Sequence, residues 1–84
     1  MTDARLKRLR FRAWRRGFRE ADLILGGFAD ASLHGLDAAE LDAFEALLEQ
    51  PDPELYGWLT GQAVPPAHLD TPLLARLRAF RPGA

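Results

Sequence analysis

Apolar positions recur along this chain at helical rather than strand spacing. Ala21, Ile24, Leu25 and Phe28 fall at i, i+3, i+4 and i+7, which predicts one buried face of a helix over about residues 18–33. Leu41, Phe44, Leu47 and Leu48 repeat the pattern in a third segment, and Leu55, Trp58 and Leu59 in a fourth. Leu73, Leu74, Leu77 and Phe80 supply a last stripe. A first helix over residues 3–15 carries Leu6, Leu9 and Ala13 on one side, with Trp14 nearby. Period-two alternation, the mark of a half-buried strand, is missing throughout.

Starts and stops agree with those stripes. Thr2 or Asp3 is the expected first N-cap, and Gly17 is free to break or bend the chain after the first helix. Asp37 with Glu40 three residues later reads as a capping box, with Asp in place of Ser or Thr. Pro51 ends the third helix. Asp52-Pro53-Glu54 then opens the fourth with an N-cap carboxylate, a proline at the first helical position and a further acid at the positive end of the dipole. Gly61 closes that helix, Thr71-Pro72 opens the last one, and Pro82-Gly83 lies beyond its end. Gly26 and Gly27 each weaken the second helix by roughly 1 kcal/mol relative to Ala; what they offer instead is close approach of another helix. The expected fold class is all-α: a compact five-helix bundle forming a single helical domain over residues 1–84.

Composition supports this. The 84 residues include 15 Leu and 14 Ala but only one Ile, one Val and three Thr, a usage that favours helix. With no cysteine there is no disulfide framework and no thiolate nucleophile, and His34 and His68 lie far apart, so no metal site is expected. His34 reads as a helix-end neighbour of Gly35, and His68 as a loop residue. A domain this small has little volume for a deep active site, and composition disfavours an enzyme.

The net charge of −1 conceals a strong polarity along the chain. Residues 1–19 sum to +7, residues 20–70 to −11 and the remainder to +3. No apolar run approaches the ~20 residues of a membrane span, and basic residues interrupt every early apolar stretch, so no signal peptide is expected. The Arg-rich start has the charge of a mitochondrial presequence but lacks its serines. The expectation is a soluble, cytoplasmic protein. At 100° per residue, Arg5, Arg8, Arg12, Arg15 and Arg16 fall within about a 100° arc of the first helix, and Leu6, Leu9 and Ala13 occupy a different side. Such a strip can dock a partner's carboxylates or phosphates, since each guanidinium donates two parallel hydrogen bonds. Equally, the protein's own acidic block can neutralise it. Nucleic acid is disfavoured as a partner because eleven acids between residues 20 and 70 would repel a phosphate backbone.

Arg16-Gly17-Phe18-Arg19-Glu20 reads R-G-x-x-E, and on a continuous helix Arg16 and Glu20 would form a local ion pair. The string Phe11 to Asp22, F-R-A-W-R-R-G-F-R-E-A-D, resembles the signature of the FAD assembly factors of succinate dehydrogenase, the SdhE family. The likeness continues through Leu36-Asp37, Leu47-Leu48-Glu49 and Asp52-Pro53-Glu54-Leu55-Tyr56-Gly57-Trp58-Leu59, covering roughly residues 5–60. The resemblance implies a small five-helix assembly factor, a chaperone without catalytic residues. Its implied partner is the flavoprotein subunit of succinate dehydrogenase, or of fumarate reductase, on which it promotes covalent attachment of FAD to a histidine. FAD then belongs to the client, and no cofactor is expected on the factor alone. By the same resemblance the partner-binding residues are Arg16, Gly17, Glu20, Asp52, Leu55 and Trp58, and the arginine strip adds Arg8 and Arg12. The plainer readings are that Leu55 and Trp58 belong to the core, Trp58 half exposed, and that Asp52 is an N-cap first and a contact second. A direct FAD carrier and an adaptor for another acidic protein are the alternatives; the first lacks a glycine-rich phosphate loop.

Overall fold

A computed structural model describes residues 3–17 and 19–80. Helix α1 spans Asp3–Trp14, α2 Arg19–Ser32, α3 Ala38–Leu48, α4 Asp52–Thr60 and α5 Pro72–Ala79. Single 3₁₀ turns at Leu33–Gly35 and Ala67–Leu69 lie in the connections after α2 and α4. No strand occurs among the described residues. The fold is all-α, as the spacing predicts.

Each predicted stripe reaches one shared core. Leu9 and Ala13 of α1, Ala21, Leu25 and Phe28 of α2, Leu41, Phe44, Leu47 and Leu48 of α3, Leu55 and Leu59 of α4, and Leu73, Leu74 and Leu77 of α5 are all buried in it. Phe28 sits at a junction: its ring lies 6.1 Å from that of Phe44 and meets Phe80 edge-on at 5.9 Å. Both helical glycines serve close approach. A Cβ on Gly26 would fall 2.7 Å from Trp14 Cε3, and one on Gly27 would fall 3.0 Å from Phe80 Cε2.

The helix ends follow the reading at α3, at Gly61, which closes α4 with φ +79°, and at the Thr71-Pro72 start of α5, and depart from it in the Asp52 and Thr71 side chains. Asp37 accepts from the Glu40 backbone N–H at 2.8 Å and Glu40 accepts from that of Asp37 at 3.0 Å, a complete capping box. Pro51, not Asp52, is the N-cap of α4; Asp52 is its first helical residue and its carboxylate makes no cap bond. That carboxylate is held by Arg16 instead. Thr71 is the N-cap of α5 by backbone geometry, yet its hydroxyl makes no cap bond and is enclosed without a partner. Trp58 is 7% exposed rather than half exposed, because α4 turns its indole fully into the core. Helix α1 stops at Trp14, one residue early, which leaves Arg15 and Arg16 in the turn. The expected cap at Thr2 and the Pro82-Gly83 terminator lie outside the described residues.

Candidate functional site

The break between α1 and α2 organises the basic end of the molecule. Gly17 adopts φ +79°, a backbone region that residues with a Cβ rarely enter, and, its chain neighbours apart, no heavy atom of the described residues lies within 4 Å of where its Cβ would be. Glycine is therefore required by the backbone and not by crowding within the chain. Two hydrogen bonds set the turn: the Arg15 backbone N–H donates to the Arg12 carbonyl at 3.2 Å, and that of Arg16 donates to Asp22 Oδ1 at 2.9 Å. Asp22 in the first turn of α2 thus latches the junction, a role the sequence reading did not assign.

Because the helix is broken here, Arg16 does not pair with Glu20. Its Nε donates to Asp52 Oδ1 at 2.8 Å, and its two terminal nitrogens donate to the carbonyls of Leu48 and Gln50. Those carbonyls lie where α3 ends, where backbone acceptors lose their helical partners. Arg5 plays a similar part further up α1, with Nη2 2.6 Å from Asp42 and 3.0 Å from Glu45. The Asp42 hydrogen bond, foremost, raises the affinity of the Arg5 guanidinium for its proton. Arg12 approaches Glu45 at 3.8 Å. Three members of the arginine strip therefore face the protein's own acids.

The rest face outward. Arg8, Lys7 and Arg19 are exposed and make no ion pair among the described residues, and Glu20 is likewise exposed without a hydrogen bond or ion pair. Phe11 is 58% exposed, with the Arg15 guanidinium 4.5 Å above its ring centre. A charge this close to an aromatic face is held by the ring quadrupole. Phe11, Arg12, Arg15, Arg16, Pro51 and Asp52 line an open groove of about 380 Å³ between α1 and the α3–α4 turn. The sequence reading missed Phe11 as a surface residue. Its angular position was the available signal, since at 100° per residue it lies opposite the Leu9–Ala13 side.

The predicted partner residues thus fall into three settings. Arg8, Gly17 and Glu20 are open to solvent; Arg12, Arg16 and Asp52 line the groove and are internally paired; Leu55 and Trp58 are buried beneath α4. No group of three or more His, Asp or Glu side chains placed to hold a metal occurs among the described residues.

The described residues form an all-helical domain with its charged side chains largely on open surface. Comparison with known proteins gives its family. Residues 7–81 match the family described as the flavinator of succinate dehydrogenase, and the chain belongs to that family. It is 46% identical over 74 residues to the FAD assembly factor SdhE of Acetobacter pasteurianus, covering 88% of this chain and 68% of that protein. The Coxiella burnetii FAD assembly factor SdhE is 41% identical over 59 residues, covering 70% of this chain and 71% of the relative. A mitochondrial succinate dehydrogenase assembly factor 2 from Dictyostelium discoideum is 37% identical over 68 residues; the chain spans 48% of its length. No solved structure matches the chain.

Proposed function

We propose that this protein is an assembly factor that binds the flavoprotein subunit of succinate dehydrogenase and promotes covalent attachment of FAD to a histidine of that client. The match to the flavinator family across residues 7–81 carries this reading. The factor is a helper and not an enzyme. Its part is to hold the client in the geometry that the client's own histidine and flavin require, and such positioning is itself a source of rate. FAD stays with the client, and the factor purified alone carries no cofactor. The flavoprotein of fumarate reductase offers the same chemistry and is a second client. The cytoplasm is the proposed place of action, and no helix among the described residues is long and apolar enough to cross a membrane.

The exposed set Arg8, Gly17 and Glu20 makes the contacts, with Arg12 and Asp52 at the groove edge, while Leu55 and Trp58 support α4 from within. The test is co-expression with the succinate dehydrogenase flavoprotein subunit, followed by fluorescence of covalent flavin in a denaturing gel. The fluorescence is expected to rise with the factor present, and equal fluorescence without it would overturn the reading. Stoichiometric flavin absorbance in the factor alone would favour the carrier alternative. Capture of some other acidic protein, with no hold on the flavoprotein subunit, would favour the adaptor.

A further inference from the structure

Arg16 opens the R-G-x-x-E string, and the family resemblance makes it a partner contact. Its side chain points inward. Only 12% of it is exposed, and Nη2 lies 2.7 Å from the same Asp52 Oδ1 that accepts from Nε. With the Leu48 and Gln50 carbonyls on its terminal nitrogens and Asp22 on its backbone N–H, this one residue joins four places. They are the α1–α2 turn, the first turn of α2, the end of α3 and the start of α4. A guanidinium is a planar fork of five donors with no acceptor, so it can serve several oxygens at once in a fixed geometry. A partner carboxylate reaching Arg16 would have to displace an acceptor already in place. The Asp52 side chain, by contrast, is 36% exposed, and its Oδ2 has no partner among the described residues.

We propose that Arg16 is a positioning residue and not a partner contact. It clamps the turn bearing Gly17 and Glu20 to the turn bearing Asp52, so that a client meets both as one rigid surface on which the Asp52 carboxylate stays partly exposed. The identity of that client rests on the function proposed above. Rigid support of contact residues is what keeps a binding surface in register, and a loosened support shows first in how fast the partner leaves.

Two measurements test the clamp. In the isolated protein, the Arg16 Nε–H should give a slowly exchanging nuclear magnetic resonance signal that exchanges faster in Asp52→Asn, whose neutral amide oxygen is the weaker acceptor. In binding to the purified succinate dehydrogenase flavoprotein subunit, Arg16→Gln should raise the dissociation rate about tenfold while leaving the salt dependence of affinity unchanged, because no partner charge is lost. The measurement is made at a temperature where circular dichroism shows the variant folded. Arg16→Lys should fail to rescue, since one ammonium cannot reproduce the fork. The double variant Arg16→Gln/Asp52→Asn should bind no worse than the weaker single variant, as residues acting through one another are not additive. A flattened salt dependence, multiplicative losses in the double variant or a fast-exchanging Nε–H would each overturn the proposal. If Arg16→Gln does not fold, the Nε–H exchange and its Asp52→Asn comparison decide the matter. If the wild type does not bind the flavoprotein subunit, the proposed function fails, and the same exchange signal with additive or non-additive melting of the single variants still judges the clamp.

Discussion

The indole of Trp14 rests directly on Gly26. A Cβ at position 26 would lie 2.7 Å from Cε3 and closer still to two other ring carbons, so the last residue of α1 seats on α2 only because residue 26 has no side chain. At Gly27 the nearest atom is the edge of the Phe80 ring, 3.0 Å away on a half-buried side chain at the end of α5.

These two contacts separate two neighbouring glycines. Gly26→Ala gains about 1 kcal/mol in helix propensity but must displace an indole, and overpacking of that kind costs about 1–3 kcal/mol. The expected net effect is destabilisation. Gly27→Ala has the same propensity gain against a ring that can shift a few tenths of an ångström, so its melting temperature should stay closer to wild type. Thermal melts of both variants, followed by circular dichroism, check the order. A Gly26→Ala protein more stable than Gly27→Ala would contradict the packing.

Gly17 presents the opposite case, a backbone constraint in open space. Any Cβ there enters the left-handed region at about 1–2 kcal/mol, and with nothing within 4 Å the cost should hardly depend on side-chain size. Gly17→Ala and Gly17→Arg should therefore melt at similar, modestly lowered temperatures. Their effect on client flavinylation should differ sharply, because only the arginine fills the space proposed for the client. Glu20→Ala, at an exposed residue without a partner among the described residues, should lower flavinylation with the melting temperature unchanged. Equal flavinylation by the alanine and arginine variants at position 17 would show that the client makes no contact there.

How much of this was legible in the sequence depended on the range of the interaction. The α3 capping box is local, and Asp37 and Glu40 announced it three residues apart. The stripes of α2 to α5 needed only periodicity. The Arg16–Glu20 pair depended on a continuous helix, which Gly17 at φ +79° breaks, so the Arg16 side chain turns elsewhere. Its acceptors lie 32 to 36 residues away in sequence, beyond the reach of any local pattern. Asp52 was misassigned for the same reason: its type suits an N-cap, but a distant guanidinium took the carboxylate and left Pro51 at the cap position.

The arginine strip divides by what each side chain faces. Arg5 bridges α1 to Asp42 and Glu45 of α3, so Arg5→Gln should lower the melting temperature and leave the client association rate nearly unchanged. Arg8 and Arg19 are exposed and make no ion pair among the described residues. Replacing both with Gln should leave stability alone, slow association with the flavoprotein subunit and flatten its salt dependence, since exposed charges steer encounter and are screened beyond about 8–10 Å at 0.1–0.15 M salt. Stopped-flow association across a salt series distinguishes the two groups. A slower association in Arg5→Gln together with unchanged rates in the Arg8/Arg19 variant would reverse the assignment.

Phe11 and Leu55 test the line between contact and support. Leu55 is fully buried under α4, and truncation to Ala should cost about 2–5 kcal/mol through lost contacts and a cavity. Any loss of client binding in Leu55→Ala should then follow the loss of folded protein and recover at lower temperature. Phe11 is 58% exposed beneath the Arg15 guanidinium, so Phe11→Ala removes little core packing and only a surface cation–π contact of about 0.5–1 kcal/mol. If the groove it lines is covered by the client, Phe11→Ala should weaken binding in fully folded protein, with no recovery on cooling, because exposed aromatics beside cations are the residues that interfaces use as anchors. Measuring affinity and melting on the same two variants decides the point. Wild-type affinity in Phe11→Ala would place the client contact away from the groove and on the Gly17–Glu20 side of the junction alone.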